Sequence, residues 1–196
     1  DLSGNSRHLT GSYGYGNALL SPSLSYFNNH PGVVFSVASM KDKSDYAVQH
    51  AISAPLTIIM AYHQQNTAAV ANCLVFLSNY NGGTGWMTMQ FNSVSNSIVL
   101  GTLGSTNITA VTPSTPFSTI VTGIIDGTNS KIYLNGSPAA SGSLNNHTAV
   151  YTVLGMDGWW QWLDGEIAEV LIYDAALSDS DRQAAEAYLN NKYNIY

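Results

Sequence analysis

Charged side chains are scarce in this chain. Six Lys and Arg and twelve Asp and Glu make up 9% of 196 residues, against roughly a quarter in an ordinary soluble protein. The polar surface must therefore be built from Asn, Ser, Thr, Gly and Gln. Nucleic-acid binding draws most of its affinity from Lys and Arg neutralising phosphates; a net charge of −6 with no basic run excludes that partner class. Cys73 is the sole cysteine, which excludes an internal disulfide and a cysteine-based zinc site. In Asn72-Cys73-Leu74-Val75-Phe76 it reads as a small buried core residue. No apolar run approaches the length a membrane-spanning helix needs. The opening Asp1-Leu2-Ser3-Gly4-Asn5 has neither the basic flank nor the apolar stretch of a signal peptide, so the expectation is a processed chain or a piece of a longer one. Hydrophobic residues at 45% exclude disorder.

What is present is strand chemistry. Short runs rich in Val, Ile, Thr and aromatics recur between Gly- and Asn-rich turns: 33–37, 46–48, 56–62, 70–77, 86–91, 97–103, 117–125, 131–134, 149–154 and 167–173. Many short strands at this spacing point to a two-layer sandwich or jelly roll. Asn135-Gly136 supplies two residues that tolerate positive φ, as a tight hairpin requires. Asp126-Gly127-Thr128-Asn129-Ser130 is a hairpin-length loop before Lys131-Ile132-Tyr133-Leu134. The exception comes at the end of the chain, where Ser178-Asp179-Ser180-Asp181 resembles a capping box with Asp for Glu. It predicts one amphipathic helix of about three turns that leaves at Asn190-Asn191. Leu177, Ala184, Ala185, Tyr188 and Leu189 would share its buried face, with Arg182, Gln183 and Glu186 turned outward. No repeat or linker divides residues 1–196, so a single domain is expected.

The stretch Leu163-Asp164-Gly165-Glu166-Ile167-Ala168-Glu169-Val170-Leu171-Ile172-Tyr173, continuing into Leu177-Ser178 and Arg182 and ending at Lys192-Tyr193, resembles the closing segment of laminin-G-like domains of the concanavalin A-like lectin/glucanase superfamily. Asp126-Gly127 with Tyr133-Leu134-Asn135-Gly136 resembles that family's hairpin, and Leu2-Ser3-Gly4-Asn5 its early motif. The resemblance implies an all-β, two-sheet antiparallel jelly-roll sandwich with one short C-terminal helix. A strand that usually precedes the early motif is missing, which again suggests part of a longer protein. The superfamily holds lectins, hydrolases, lyases and adhesion modules, so the fold alone does not fix the function.

Glycoside hydrolysis needs two carboxyl groups facing one sugar. Glu166 and Glu169 stand three apart in a predicted strand and should point to opposite faces, Glu166 to solvent and Glu169 into a structural hydrogen bond. Glu186 sits on the helix. The five histidines, 8, 30, 50, 63 and 147, show no metal or protease spacing, and His63 reads as a strand-end residue. With Arg7 and Arg182 the only arginines, the arginine-rich motif of lyases with this fold is also missing. A non-enzymatic reading follows.

Binding remains. Sugars meet aromatic rings with their C–H faces and Asn, Asp or Gln with their hydroxyls. Met156-Asp157-Gly158-Trp159-Trp160-Gln161-Trp162-Leu163-Asp164 holds three of the four tryptophans. Trp159 and Trp160 are the candidate stacking platform, with Asp157, Gln161 and Asp164 as polar partners; packing of these rings beneath loops or into an interface is the alternative. Tyr80-Asn81-Gly82-Gly83-Thr84-Gly85-Trp86 is a second candidate, although a hairpin turn with Trp86 in the core is the expected outcome. No cofactor is implied. Calcium would need several loop oxygens, and only Asp42 with Asp45 or Asp157 with Asp164 offers a start. The sequence thus reads as a lectin-like adhesion module for a glycan or cell-surface polysaccharide, in an extracellular, cell-surface or virion setting such as a phage fibre or spike. A structural decoration module contacting neighbouring subunits is the first alternative, and a polysaccharide-degrading enzyme the second.

Overall fold

The computed structural model describes residues 9–11, 18–38, 40–42, 51–65, 71–79, 85–156 and 162–196, with backbone alone at 9–11, 37–38, 40–42 and 71–72. Sixteen strands and one α-helix are formed among them. The strands are β1 (Leu9–Gly11), β2 (Leu19–Leu24), β3 (His30–Ala38), β4 (Met40–Asp42), β5 (Ile52–Ser53), β6 (Leu56–Gln64), β7 (Ala71–Ser78) and β8 (Trp86–Asn92). They continue as β9 (Ser97–Thr102), β10 (Ile108–Val111), β11 (Phe117–Ile125), β12 (Ser130–Leu134), β13 (Ser137–Gly142), β14 (Thr148–Ala149), β15 (Tyr151–Leu154) and β16 (Leu163–Tyr173). Helix α1 spans Asp179–Tyr193. The expected strand at 46–48 lies outside the described residues.

Two seven-stranded sheets carry the fold. The first runs β1-β4-β15-β7-β8-β9-β10 and the second β13-β12-β11-β6-β16-β3-β2, with β5 and β14 as a separate pair. Every pairing within them is antiparallel. The expected jelly roll is therefore present. Alternation explains the layering. In β8, Met87, Met89 and Phe91 are fully buried between the sheets, whereas Trp86 and Gln90 on the other face are half-buried. Strand β6 is buried at all nine positions because both its faces are covered. Leu56, Ile58, Met60 and Tyr62 enter the inter-sheet core, while Ile59 and Ala61 meet Leu189 and Tyr193 of α1 together with Phe27. Cys73 is buried, as expected, with its sulfur 3.7 Å from the Thr88 hydroxyl.

The hairpin residues behave as their chemistry requires. Asn135 and Gly136 take φ of 50° and 77° and join β12 to β13. Asn135 Oδ1 also accepts from the Ile120 N–H at 2.9 Å and the Thr119 hydroxyl at 2.9 Å, so the turn is bonded to β11. Asn135→Ala puts into positive φ a residue that tolerates it less well than Asn and orphans two donors. The expected loss is about 1–3 kcal/mol in urea denaturation, with a smaller loss for Asn135→Gly, which keeps the backbone and forfeits only the side-chain bonds.

The helix starts as predicted: Ser178 Oγ accepts from the Asp181 N–H at 3.2 Å and donates to the Asp181 carboxylate at 2.6 Å. Its length and its buried face both differ from expectation. It continues through Asn190-Asn191 for 15 residues and stops at Asn194, whose φ of 51° gives a left-handed cap. Arg182 and Glu186, expected outside, are 3% and 2% exposed, while Tyr188, expected inside, is 46% exposed. The cause is a paired network. Arg182 Nη1 donates to Glu186 Oε2, the guanidinium lies 3.8 Å over the Tyr133 ring, and the Thr122 hydroxyl donates to Glu186 Oε1 at 2.6 Å. Two opposite charges satisfied this way can lie on a helix face that polarity alone would send to solvent.

Candidate functional site

The register of the strands puts Trp86 and Asp164, the two expected site residues that are described, at two ends of the sandwich. Trp86 pairs with Ser78, which pairs with Tyr151. The Asn79 N–H donates to the Gly85 carbonyl at 3.1 Å, and residues 80–84, Tyr80 included, lie outside the described set. Asp164 belongs to the other end. Its backbone carbonyl accepts from Gln64 Nε2 at 3.0 Å and from the Gln65 N–H at 3.3 Å, where β6 ends. Met156 and Trp162 form a bridge there. They flank 157–161, so Asp157, Trp159, Trp160 and Gln161 lie outside the described residues. The structure thus separates Trp86 from Trp162.

Trp86 is not a core residue, which corrects the expectation. It lies on the face of the first sheet opposite to Met87 and Met89 and keeps part of its surface in solvent. Gly101, on neighbouring β9, has no side chain, and a Cβ there would stand 3.6 Å from Trp86 Cζ3 and collide with Asn107 Oδ1. Indole and amide therefore share the space that this glycine leaves open. Asn107 is exposed and its side chain makes no hydrogen bond within the protein among the described residues. Register adds Thr88 and Gln90 of β8 and Thr109 of β10 to the same face. An apolar ring beside an unpaired amide is the pairing of surfaces that a sugar ring needs. The signal available in the sequence was the alternation in 86–91, which sets Trp86 out of phase with Met87, Met89 and Phe91.

A second polar cluster sits on the outer face of the second sheet. Tyr26 stacks on His63 with ring centroids 4.0 Å apart and planes 7° from parallel, and its hydroxyl donates to Glu166 Oε1 at 2.9 Å. His63 Nδ1 lies 2.9 Å from Ser118 Oγ and Nε2 lies 3.0 Å from Gln65 Oε1. Because a carbonyl oxygen only accepts, this arrangement places the proton on Nε2 and makes Ser118 the donor to Nδ1. Glu166 is 6% exposed, not solvent-facing as expected, and its Oε2 is buried without a partner among the described residues. Glu169 does make the expected structural bonds, to Tyr193 at 2.8 Å, Lys192 at 2.9 Å and Tyr188 at 3.1 Å.

The two glutamates are also not on opposite faces. Glu166 pairs with His63 and Glu169 with Ala61, with a register shift between Ile167 and Glu169. The extra residue in this β-bulge resets the alternation, so both carboxyls emerge on the helix-bearing face. They are held by different partners: Glu166 by the Tyr26 hydroxyl, Glu169 by side chains of α1.

Burial sets the protonation of this cluster. It holds Glu166 above 4.5, opposed by the Tyr26 bond and reinforced by the charge of Asp164. It holds His63 below 6.5, opposed by the bond to Gln65. Burial first, then the Glu166 bond, pushes the Tyr26 hydroxyl up to about 12. A raised carboxyl contributes stability that is complete below 4.5 and lost as pH rises through its folded value, whereas the lowered His63 contributes above 6.5 and loses as pH falls. Glu166→Gln removes the first slope. Urea titrations from about pH 4 to about pH 8 should show the variant gaining on the parent as pH rises; parallel curves would contradict this.

Among the described residues no group of three His, Cys, Asp or Glu could hold a metal ion, and Asp45 and Asp157 of the calcium candidates lie outside them. No helix among them is long and apolar enough to cross a membrane.

Comparison with known proteins gives the same fold. No curated protein matches this sequence. The binding domain of Paraclostridial mosquitocidal protein 1 is similar at 15% identity and a TM-score of 0.66, covering 97% of this chain and 49% of that one. This chain thus spans about half the length of that binding domain. Domain 4 of AbnA, a GH43 extracellular arabinanase from Geobacillus stearothermophilus solved with arabinotriose, is similar at 16% identity and TM-score 0.62, covering 93% and 86%. The CBM40 of the Ruminococcus gnavus IT-sialidase follows at 14% identity and TM-score 0.51, covering 67% and 82%. Identities this low speak for the fold. The family profile described as the concanavalin A-like lectin/glucanases superfamily matches residues 49–181, and the chain belongs to this superfamily, in a laminin-G-like family.

Proposed function

We propose that this domain is a non-catalytic carbohydrate-binding module, an adhesion element of an extracellular, cell-surface or virion protein. The observation that carries the reading is the partly exposed Trp86 indole sharing the space over Gly101 with the Asn107 amide, which makes no hydrogen bond among the described residues. The similar AbnA domain, solved with arabinotriose, and the similar CBM40 support it. Separate tethering of Glu166 and Glu169 supports the non-catalytic part, since hydrolysis needs both carboxyls free at one sugar. Trp159 and Trp160, with Asp157, Gln161 and Asp164, remain a second proposed platform, and Tyr80 a further proposed binding residue.

A glycan array on the domain tests the reading, with reducing-end release measured on every glycan that binds. Binding without turnover is expected. Turnover would make the protein an enzyme, and silence across neutral and acidic glycans would remove the lectin reading. Trp86→Ala and the double variant Trp159→Ala/Trp160→Ala then assign the binding to one platform. Gly101→Ala should weaken binding by roughly three- to tenfold at unchanged thermal stability, because the added methyl displaces a surface amide and no core atom. The second reading, a structural module, is favoured by Leu19 and Leu20 on edge strand β2, which are 61% and 74% exposed. A dimer or higher assembly in light scattering, lost on Leu20→Ser, would support it.

A further inference from the structure

The two sheets end side by side. Strand β10 is the last of the first sheet and β13 the last of the second, and an open cleft of about 400 Å³ runs between them. That volume lies within the roughly 300–1,000 Å³ of small-molecule sites. Its floor is Ile108, and the cleft narrows where Gly142 comes so close that a Cβ would stand 2.9 Å from Ile108 Cγ1. The walls carry Thr106, Asn107, Thr109, Ser141 and Ser143. All five are exposed, and none of these side chains hydrogen-bonds within the protein among the described residues.

The lining selects a chemistry. It contains no charged side chain, so a phosphate or carboxylate would lose its water without gaining a counter-charge. It contains no aromatic ring, and its apolar side chains are only Ile108 and Ala140, so a hydrophobic ligand would gain little. A neutral ligand rich in hydroxyls finds four hydroxyl groups and one amide, each able to donate and accept. Elsewhere the cations with described side chains are few. Arg182 is committed to Glu186 and Lys192 to Glu169.

Asn107 belongs to the cleft and to the Trp86 platform at once. Residues 106–109 extend about 10 Å along the edge, longer than one sugar ring. We propose that the cleft is a second sugar subsite continuous with Trp86 through Asn107, so that the domain takes a neutral oligosaccharide of two or more units. One ring stacks on the indole and the next reaches the hydroxyls of β10 and β13. This rests on the carbohydrate-binding reading and adds the class and length of the ligand.

Calorimetric titration with neutral arabino-, xylo-, cello-, malto- and manno-oligosaccharides of one to five units, and with sialyllactose as the acidic probe, tests it. Affinity for the preferred series should rise by about tenfold or more from one unit to three and then level off. Thr109→Val with Ser141→Ala should erase roughly three- to tenfold for the trisaccharide and leave the monosaccharide unchanged, while Trp86→Ala weakens both. Length-independent affinity, an unchanged trisaccharide affinity in the cleft variant, or no response to Trp86→Ala overturns the subsite while the carbohydrate-binding reading stands. Preference for sialyllactose overturns the neutral class. Binding of none of these glycans overturns the subsite, and the reading beneath it falls if the glycan array is silent as well.

Discussion

Replacing Arg182 with alanine should cost this domain about 3–5 kcal/mol, the usual penalty for removing one partner of a buried ion pair. Glu186 would be left 2% exposed with only the Thr122 hydroxyl as partner, and Tyr133 would lose the guanidinium stacked on its ring. For a chain of this size each kcal/mol lowers Tm by about 2–4 °C, so a drop of roughly 10 °C is expected in calorimetry. The loss stems from an unpaired charge, so Arg182→Met combined with Glu186→Leu should recover most of it. The pair between Lys192 and Glu169 offers the contrast. It is 32% and 15% exposed, and Lys192→Ala should cost about 1 kcal/mol or less. An Arg182→Ala variant that melts with the parent would show that α1 is held by its apolar contacts alone.

The second large effect concerns binding. Central aromatic anchors in a recognition surface contribute at least about 2 kcal/mol each when removed, which is roughly a thirtyfold loss. Trp86→Ala should lose that much affinity for any glycan the domain binds through the first sheet. Trp86→Phe keeps a ring over Gly101 and should lose less. Because the indole lies outside the inter-sheet core, the affinity loss should exceed what the change in stability can explain. Circular dichroism and thermal melting on the same samples separate the two.

Much of the scaffold was legible because its signals are local. Positive φ at Asn135 and Gly136, the Ser178 cap and most of the long central strands follow from residue chemistry over a few positions. What escaped depends on partners distant in sequence. The buried face of α1 could not be read because Arg182 and Glu186 look solvent-bound until Tyr133, Thr122 and Gly136 surround them. The faces of Glu166 and Glu169 were misread because a single inserted residue, set by pairing with β6, reverses the parity that strand reasoning assumes. Strands β10 and β13 went unnoticed for different reasons: Ile-Thr-Ala-Val is β-branched at three positions but only four residues long, whereas Ser-Pro-Ala-Ala-Ser-Gly holds no β-branched or aromatic residue, and with them went the cleft. The alternating burial of β10, with Ile108 and Ala110 inside and Thr109 and Val111 outside, was its one periodic trace.

The most direct test of the central claim is a nitrogen–proton correlation spectrum of the domain during titration with the best-binding neutral oligosaccharide. With single tryptophan variants supplying the assignments, the indole N–H of Trp86 and the side-chain amide of Asn107 should shift saturably and together, with Thr109 and Ser141 following only for ligands of two or more units. A titration that moves other indoles and leaves Trp86 and Asn107 in place would contradict a sugar site on the first sheet.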